Sequence, residues 1–170
     1  MDQTDNTTVV KLKEKFPDAV QEVTEFRNEM TVLIKRESVL DILRFLHDDK
    51  DLGYNFLADL TSVDWFQRTP RFDVVYHVRS LNHNFFIRIK TQVGEGEKVE
   101  SATPVWTTAN WLEREVYDLM GIEFSHHPDL RRILTPDHWE DHPLRKDYPL
   151  VGKNEPLMFP LEEDIQDREL

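Results

Sequence analysis

Residues 55–91 constrain the fold more than any other stretch, because they spell three strand-like runs with turn material between them. The runs are Asn55 to Phe66, Phe72 to Arg79 and Asn84 to Thr91, separated by Gln67-Arg68-Thr69-Pro70 and Leu81-Asn82-His83. Connections this short join antiparallel neighbours, so a meander is predicted. Phe72-Asp73-Val74-Val75-Tyr76-His77-Val78-Arg79 and Phe86-Ile87-Arg88-Ile89-Lys90 alternate apolar and polar side chains over most of their length. Such alternation gives a sheet one apolar face, which another layer has to cover.

The sequence before residue 55 supplies that layer. Val9, Val10, Leu12 and Phe16 recur at near-helical spacing and Pro17 then stops the helix. Ala19 to Phe26 and Met30 to Ile34 are β-rich runs split by Arg27-Asn28-Glu29, the length of a hairpin loop. Val39, Leu40, Ile42, Leu43 and Leu46 form an amphipathic stripe that ends near Gly53. The fold class expected is α+β, a single mainly antiparallel sheet with helices packed on one face and an extended C-terminal arm.

After Thr103-Pro104 the pattern changes. Leu112 to Met120 reads as a helix, with Thr107 or Thr108 as N-cap and Gly121 at the C-cap. From Ile122 onward periodicity fades, and the segment holds six of the nine prolines and four of the seven histidines. That composition describes an ordered arm, which needs another surface to lie on, more than a second core. The expected organisation is therefore a core over 1–121, a partner-wrapping arm over 122–160, and an acidic, mobile tail over 161–170.

Composition narrows the function. A formal charge of -12 repels phosphate backbones and anionic headgroups, which argues against nucleic acid and membrane-surface partners. With no cysteine there can be no disulfide, thiolate-held iron–sulfur cluster, Cys-type zinc site or Cys nucleophile. No apolar run reaches the ~20 residues of a membrane helix, and the polar start has no signal-peptide core, so a cytosolic location without membrane insertion is expected. Nucleotide-cradling G-x-G-x-x-G and G-x-x-x-x-G-K-[ST] motifs and the G-x-S-x-G elbow are all missing from the sequence.

Three groups of residues could carry chemistry. Glu113, Arg114, Glu115 and Asp118 share one short helix, either as a paired-carboxylate acid–base site or as a solvated face with i, i+3 and i, i+4 ion pairs. His126, His127, His138 and His142 crowd one window with Asp129, Asp137 and Asp141. They offer metal ligands, but the one i, i+4 pair, His138 and His142, runs directly into Pro143, which favours turn and interface roles. Arg131, Arg132, Arg145 and Lys146 lie in the arm, either to grip a partner's carboxylates or to pair with Glu113, Glu115 or Asp118. Trp106, Trp111, Tyr117, Trp139 and Tyr148 fit either interface hot spots or core. A stand-alone metal-dependent hydrolase built on these carboxylates and histidines is the rival to an interaction subunit.

Three blocks then point to a family. Trp111-Leu112-Glu113-Arg114-Glu115-Val116-Tyr117-Asp118-Leu119-Met120-Gly121-Ile122-Glu123-Phe124 comes first. His127-Pro128-Asp129-Leu130-Arg131-Arg132-Ile133-Leu134 and His142-Pro143-Leu144-Arg145-Lys146-Asp147-Tyr148-Pro149 follow. In this fixed order they closely resemble the signature of the C subunit of respiratory complex I, the NADH:quinone oxidoreductase, and of its photosynthetic and archaeal relatives. Phe56 to Trp65 and Phe72 to Tyr76 look like that family's strands, and His126-His127 departs from the Gly-His often found there. The resemblance implies a structural and assembly subunit that binds no cofactor or metal and has no catalytic residue of its own. Its arm would wrap a hydrogenase-like quinone-site subunit and fix the cluster-bearing subunits in place, peripheral on the cytoplasmic side of a membrane. NAD(P)H or another donor, flavin, iron–sulfur clusters and quinone would belong to the whole complex, which couples electron transfer to proton translocation. The implied structural and interface signature is Trp111, Glu113, Arg114, Glu115, Tyr117, Asp118, Gly121, His127, Pro128, Asp129, Arg131, Arg132, His142, Pro143, Arg145 and Asp147. A membrane-bound hydrogenase or formate-oxidising complex is the alternative assembly, and differs only in the neighbours.

Overall fold

The computed structural model describes residues 7–152, so the acidic tail expected over 161–170 and the end of the arm from 153 lie outside the described residues. The elements are α1 (Thr7–Lys15), β1 (Val20–Phe26), β2 (Glu29–Ile34), α2 (Val39–Asp48), β3 (Phe56–Asp64), β4 (Phe72–Ser80), β5 (Phe85–Val93), β6 (Lys98–Glu100), α3 (Ala109–Met120) and β7 (Glu123–Ser125). Strand order in the main sheet is β1-β2-β5-β4-β3. The predicted meander β3-β4-β5 is antiparallel, as is the β1-β2 hairpin. Arg27 and Asn28 both adopt positive φ, 52° and 64°, the turn geometry whose twist matches a two-residue hairpin.

The main sheet is the mainly antiparallel one expected, and two parallel pairings add to the hairpin and the meander. β2 lies parallel to β5, with Val32 opposite Ile89, so the hairpin and the meander are joined edge to edge through the α2 crossover. β6 and β7 form a second, two-stranded parallel sheet, with Val99 opposite Phe124. Residues 123–125, at the start of the expected arm, therefore pair with the core.

Helices cover one face only. Val32 and Ile34 of β2, Val74, Tyr76 and Val78 of β4, and Ile87 and Ile89 of β5 pack beneath Leu12 of α1 and Ile42, Leu43 and Leu46 of α2, all fully buried. Removing this much apolar surface from water supplies the main driving force, at roughly 25 cal/mol per Å2. Lys11 ties α1 to the end of α2 by bonding Asp49 at 2.8 Å and Asp51 at 2.6 Å. Thr8 and Tyr54 hydroxyls meet at 2.9 Å in the interior. On the opposite face the β3–β4 turn folds back over the sheet. Trp65 Nε1 donates to Asp73 at 2.9 Å, Lys90 reaches the same carboxylate at 2.8 Å, and Arg68 bonds its other oxygen. Asp73 is buried in consequence, although alternation alone would place it in water.

Candidate functional site

Helix α3 organises everything downstream of it. Ala109 and Val116 face the core, and Glu113, Arg114 and Asp118 are buried beside them, so the reading of these charges as a solvated face is corrected. Thr108 flanks the helix with a helical backbone (φ −59°, ψ −29°) and makes no side-chain cap bond, so it does not act as the expected N-cap. The paired-carboxylate reading is corrected as well: Glu113 and Asp118 sit in separate networks, and Glu115 is exposed.

Asp118 gathers the first part of the arm. Its Oδ2 accepts the backbone N–H groups of Ile133 at 3.0 Å, Leu134 at 2.7 Å and Thr135 at 2.8 Å. Its Oδ1 accepts Arg132 Nη1 at 2.7 Å and the Thr135 hydroxyl. Burial would raise this carboxyl's pKa, but the bonds from Thr135, Ile133 and Leu134 outweigh it and hold the group well below the usual carboxylate range. Arg132 goes on to donate to Asp141 O at 3.1 Å, linking two stretches of the arm through one guanidinium.

The C-terminal carbonyls of α3 are satisfied from the arm. His142 Nδ1 donates to Asp118 O at 2.8 Å, the Leu144 N–H to Leu119 O at 3.1 Å, and Arg145 Nε to Met120 O at 2.7 Å. A helix C-terminus carries orphan acceptors and a partial negative charge, so cationic and N–H donors are the groups suited to it. Gly121 closes the helix at φ 73°, and a Cβ there would overlap the His142 ring and the Arg145 guanidinium. Gly121→Ala is expected to lower stability by about 2 kcal/mol, from left-handed backbone strain together with displacement of His142 and Arg145. Thermal unfolding checks this, with faster hydrogen exchange at Leu144 as the local sign.

A second clamp holds residues 145–147 against the sheet. Arg71 grips Asp64 with Nε at 2.9 Å and Nη2 at 2.8 Å, and Asp147 with Nη2 at 2.7 Å and Nη1 at 3.2 Å. Lys146 N–H donates to Asp64 at 2.9 Å, and Glu95 bonds Arg145 at 3.0 Å. The Arg71 guanidinium holds Asp64 down at about 2 and is itself raised by the two carboxylates. Sequence reasoning misses Asp64, Arg71, Asp73 and Glu95. Their one signal in the sequence is a pair of opposite charges flanking a turn.

The root of the arm is held by Arg114 and His127. Arg114 donates to the carbonyls of Arg131 at 3.2 Å and Arg132 at 3.1 Å and stacks on Trp111. His127 Nε2 lies 3.1 Å from Asn110 O, and its Nδ1 accepts the Asp129 N–H at 3.0 Å. Arg131 pairs locally with Asp129 at 2.9 Å rather than with α3. Among the described residues no group of three or more His, Asp or Glu side chains is arranged to hold a metal, so the four histidines do not converge. Asp141, His142, Arg145, Asp147 and Tyr148 line a cavity of about 110 Å3, and its walls are the arm's own anchors. No helix among the described residues is long and apolar enough to cross a membrane.

These features define a class: a small α+β domain whose buried carboxylates and arginines fold a proline-rich arm onto its third helix. A model of the family described as respiratory-chain NADH dehydrogenase, 30 Kd subunit, matches residues 32–154. The chain belongs to that family. It is 52% identical over 148 residues to the C subunit of NADH-quinone oxidoreductase from Geotalea uraniireducens (strain Rf4), covering 86% of this chain and 89% of the relative. The C subunit from Geobacter sulfurreducens (strain ATCC 51573 / DSM 12127 / PCA) is 51% identical over 149 residues, 86% of this chain and 91% of the relative. That from Roseiflexus sp. (strain RS-1) is 45% identical over 157 residues, 91% and 90% of the two chains.

Proposed function

We propose that this chain is a cofactor-free structural and assembly subunit in the peripheral arm of a complex I-type donor:quinone oxidoreductase. It presents the arm to a hydrogenase-like quinone-site subunit and helps fix the cluster-bearing subunits, on the cytoplasmic side of the membrane. Electron transfer to quinone and coupled proton translocation are activities of the assembly, and the isolated chain is non-catalytic. One observation carries this reading: the motif residues use their hydrogen bonds to shape the arm, while large apolar side chains on α3 and the arm stay exposed. Trp111 is 61% exposed, Leu134 63% and Leu144 53%. Pre-shaping a segment lowers the ordering cost of docking, and exposed aromatic and aliphatic groups on a rigid support are what a partner buries.

The signature divides accordingly. Arg114, Asp118, Gly121, His127, Arg132, His142, Arg145 and Asp147 set the arm's shape, Pro128 and Pro143 restrict its backbone, and Glu113 ties α3 to the segment after β6. Trp111, Glu115, Tyr117, Asp129 and Arg131 belong to the face offered outward. Mass spectrometry of the complex recovered through a tag on this chain, from membranes in mild detergent, tests the reading. Quinone-site and cluster-bearing subunits are expected to co-purify, and Leu134→Asp with Leu144→Asp is expected to reduce their yield at least tenfold without changing the chain's own unfolding. Recovery of the chain alone with a stoichiometric metal would overturn the proposal and favour a metal-dependent hydrolase.

A further inference from the structure

Glu113 is a buried acid without a cation. Its side chain is fully enclosed where α3, β4, the segment after β6 and the root of the arm meet. Oε2 accepts the Ser101 hydroxyl and Oε1 the Ala102 N–H, both at 2.6 Å. Ser101 Oγ meets Thr103 Oγ1 at 2.8 Å and accepts the Thr103 N–H at 3.1 Å. On its own helix, Arg114 turns away to the carbonyls of Arg131 and Arg132, and Asp118 is held by Arg132. From β4, Tyr76 faces it with a buried hydroxyl that has no hydrogen-bond partner among the described residues.

From the arm comes His127, whose Nε2 stands 3.9 Å from Oε2 and whose ring is fully buried. It stands beside Glu113 but spends its ring hydrogen bonds elsewhere. Nδ1 accepts the Asp129 N–H at 3.0 Å, so that nitrogen carries no proton. The single ring proton therefore sits on Nε2 and is donated to Asn110 O at 3.1 Å. The ring's hydrogen bonds thus go to Asn110 and Asp129, and the groups bonded to the Glu113 carboxyl are the Ser101 hydroxyl and the Ala102 N–H, both dipoles.

We propose that Glu113 is a proton-binding switch at the root of the arm, where uptake of one proton tightens the junction of α3, the β6–β7 pair and His127, and its loss loosens that junction. Burying a carboxylate without a cation is unfavourable, whereas the neutral acid loses little by burial. The same enclosure raises Glu113 from 4.5 to about 7, although Ser101 and Ala102 favour the ion. A carboxyl raised in the folded state makes that state bind more protons than the unfolded chain. The stability it contributes is present below about 4.5 and is lost as pH rises through about 7. Most carboxylates act in the opposite sense.

The test is a carboxyl-carbon NMR titration of the full chain labelled with 13C-glutamate, with Glu113 assigned by through-bond connectivity. A midpoint near 7 is expected, and one at or below 4.5 overturns the proposal. Hydrogen exchange in β6 and β7, corrected for intrinsic rates, is expected to speed roughly tenfold between pH 6 and pH 8, one decade per unit of pKa displacement traversed. In Glu113→Gln, which cannot ionise and can still accept the Ala102 N–H through its one oxygen while its NH2 donates to Ser101 Oγ, that dependence is expected to vanish. An identical rise in the variant also overturns the proposal, and should the variant not fold, the titration of the unaltered chain decides alone. Neither readout depends on partner subunits, so failure here leaves the assembly reading untouched.

Discussion

Replacing Asp118 with alanine is expected to free residues 132–145 from α3 and to lower stability by about 3–5 kcal/mol, the range for breaking a buried charged pair. The carboxylate is the sole shared acceptor for Arg132 Nη1, three consecutive backbone N–H groups and the Thr135 hydroxyl. Its removal leaves a guanidinium that is 12% exposed without its counter-charge. The part-buried N–H groups at 133–135 also lose their partner, and an unsatisfied donor costs about 1–3 kcal/mol where water cannot enter. Water will reach some of them once the turn opens, which keeps the total from being a plain sum. Asp118→Asn is the informative companion. It preserves volume and one acceptor but turns an NH2 toward donors, so it should fall between alanine and the unaltered chain. Urea unfolding gives the stability, and hydrogen exchange at Ile133, Leu134 and Thr135 shows whether the loss is local. Unchanged exchange there in Asp118→Ala would mean that the arm is held by residues 145–147 alone.

Much of the fold is legible in the sequence, and the reasons are local. The alternation in Phe72 to Arg79 and Phe86 to Lys90 marks which side chains go inward, and the stripe from Val39 to Leu46 marks the face of α2 that covers them. The parallel pairing of β2 with β5 is not legible, because it joins residues such as Thr31 and Arg88 that no turn connects. β6 and β7, three residues each, are too short for a period to show. The site is a harder case. Glu113 falls on the same helical stripe as Ala109, Val116 and Met120, so its burial follows from spacing once position is weighed above residue type. Asp118 cannot be treated that way, since its burial comes from the arm laid over it. Asp73 is polar on an outward position and buried only because Trp65 and Arg68 return across the strand. Family resemblance picks out Asp118, Arg132, His142 and Arg145 as a set, and the path of the folded arm is what joins them into one network.

Arg71→Ala is expected to cost about 3–5 kcal/mol near neutral pH, by leaving Asp64 ionised in the interior without its guanidinium. Asp64 has no exposed side-chain surface, while Arg71 is 9% exposed and bonds both Asp64 and Asp147 with two nitrogens each. After truncation Asp64 keeps only the N–H groups of Phe66 and Lys146. Lysine should not rescue the loss, because a single ammonium cannot hold two carboxylates in the geometry of a planar fork. The pH dependence separates charge from packing. In the unaltered chain Asp64 is depressed from 3.8 to about 2, so its contribution is present above 3.8 and lost as pH falls through 2. The variant lacks that contribution, so the stability gap between the two chains should narrow as the pH is lowered through this window. Arg71 also stacks on Phe66 and Phe72, and that contact does not titrate. Urea unfolding of both chains from pH 6 down to about pH 2 makes the distinction: a gap that stays constant would assign the role of Arg71 to stacking, and one that narrows through this window would assign it to the carboxylates of the sheet and the arm.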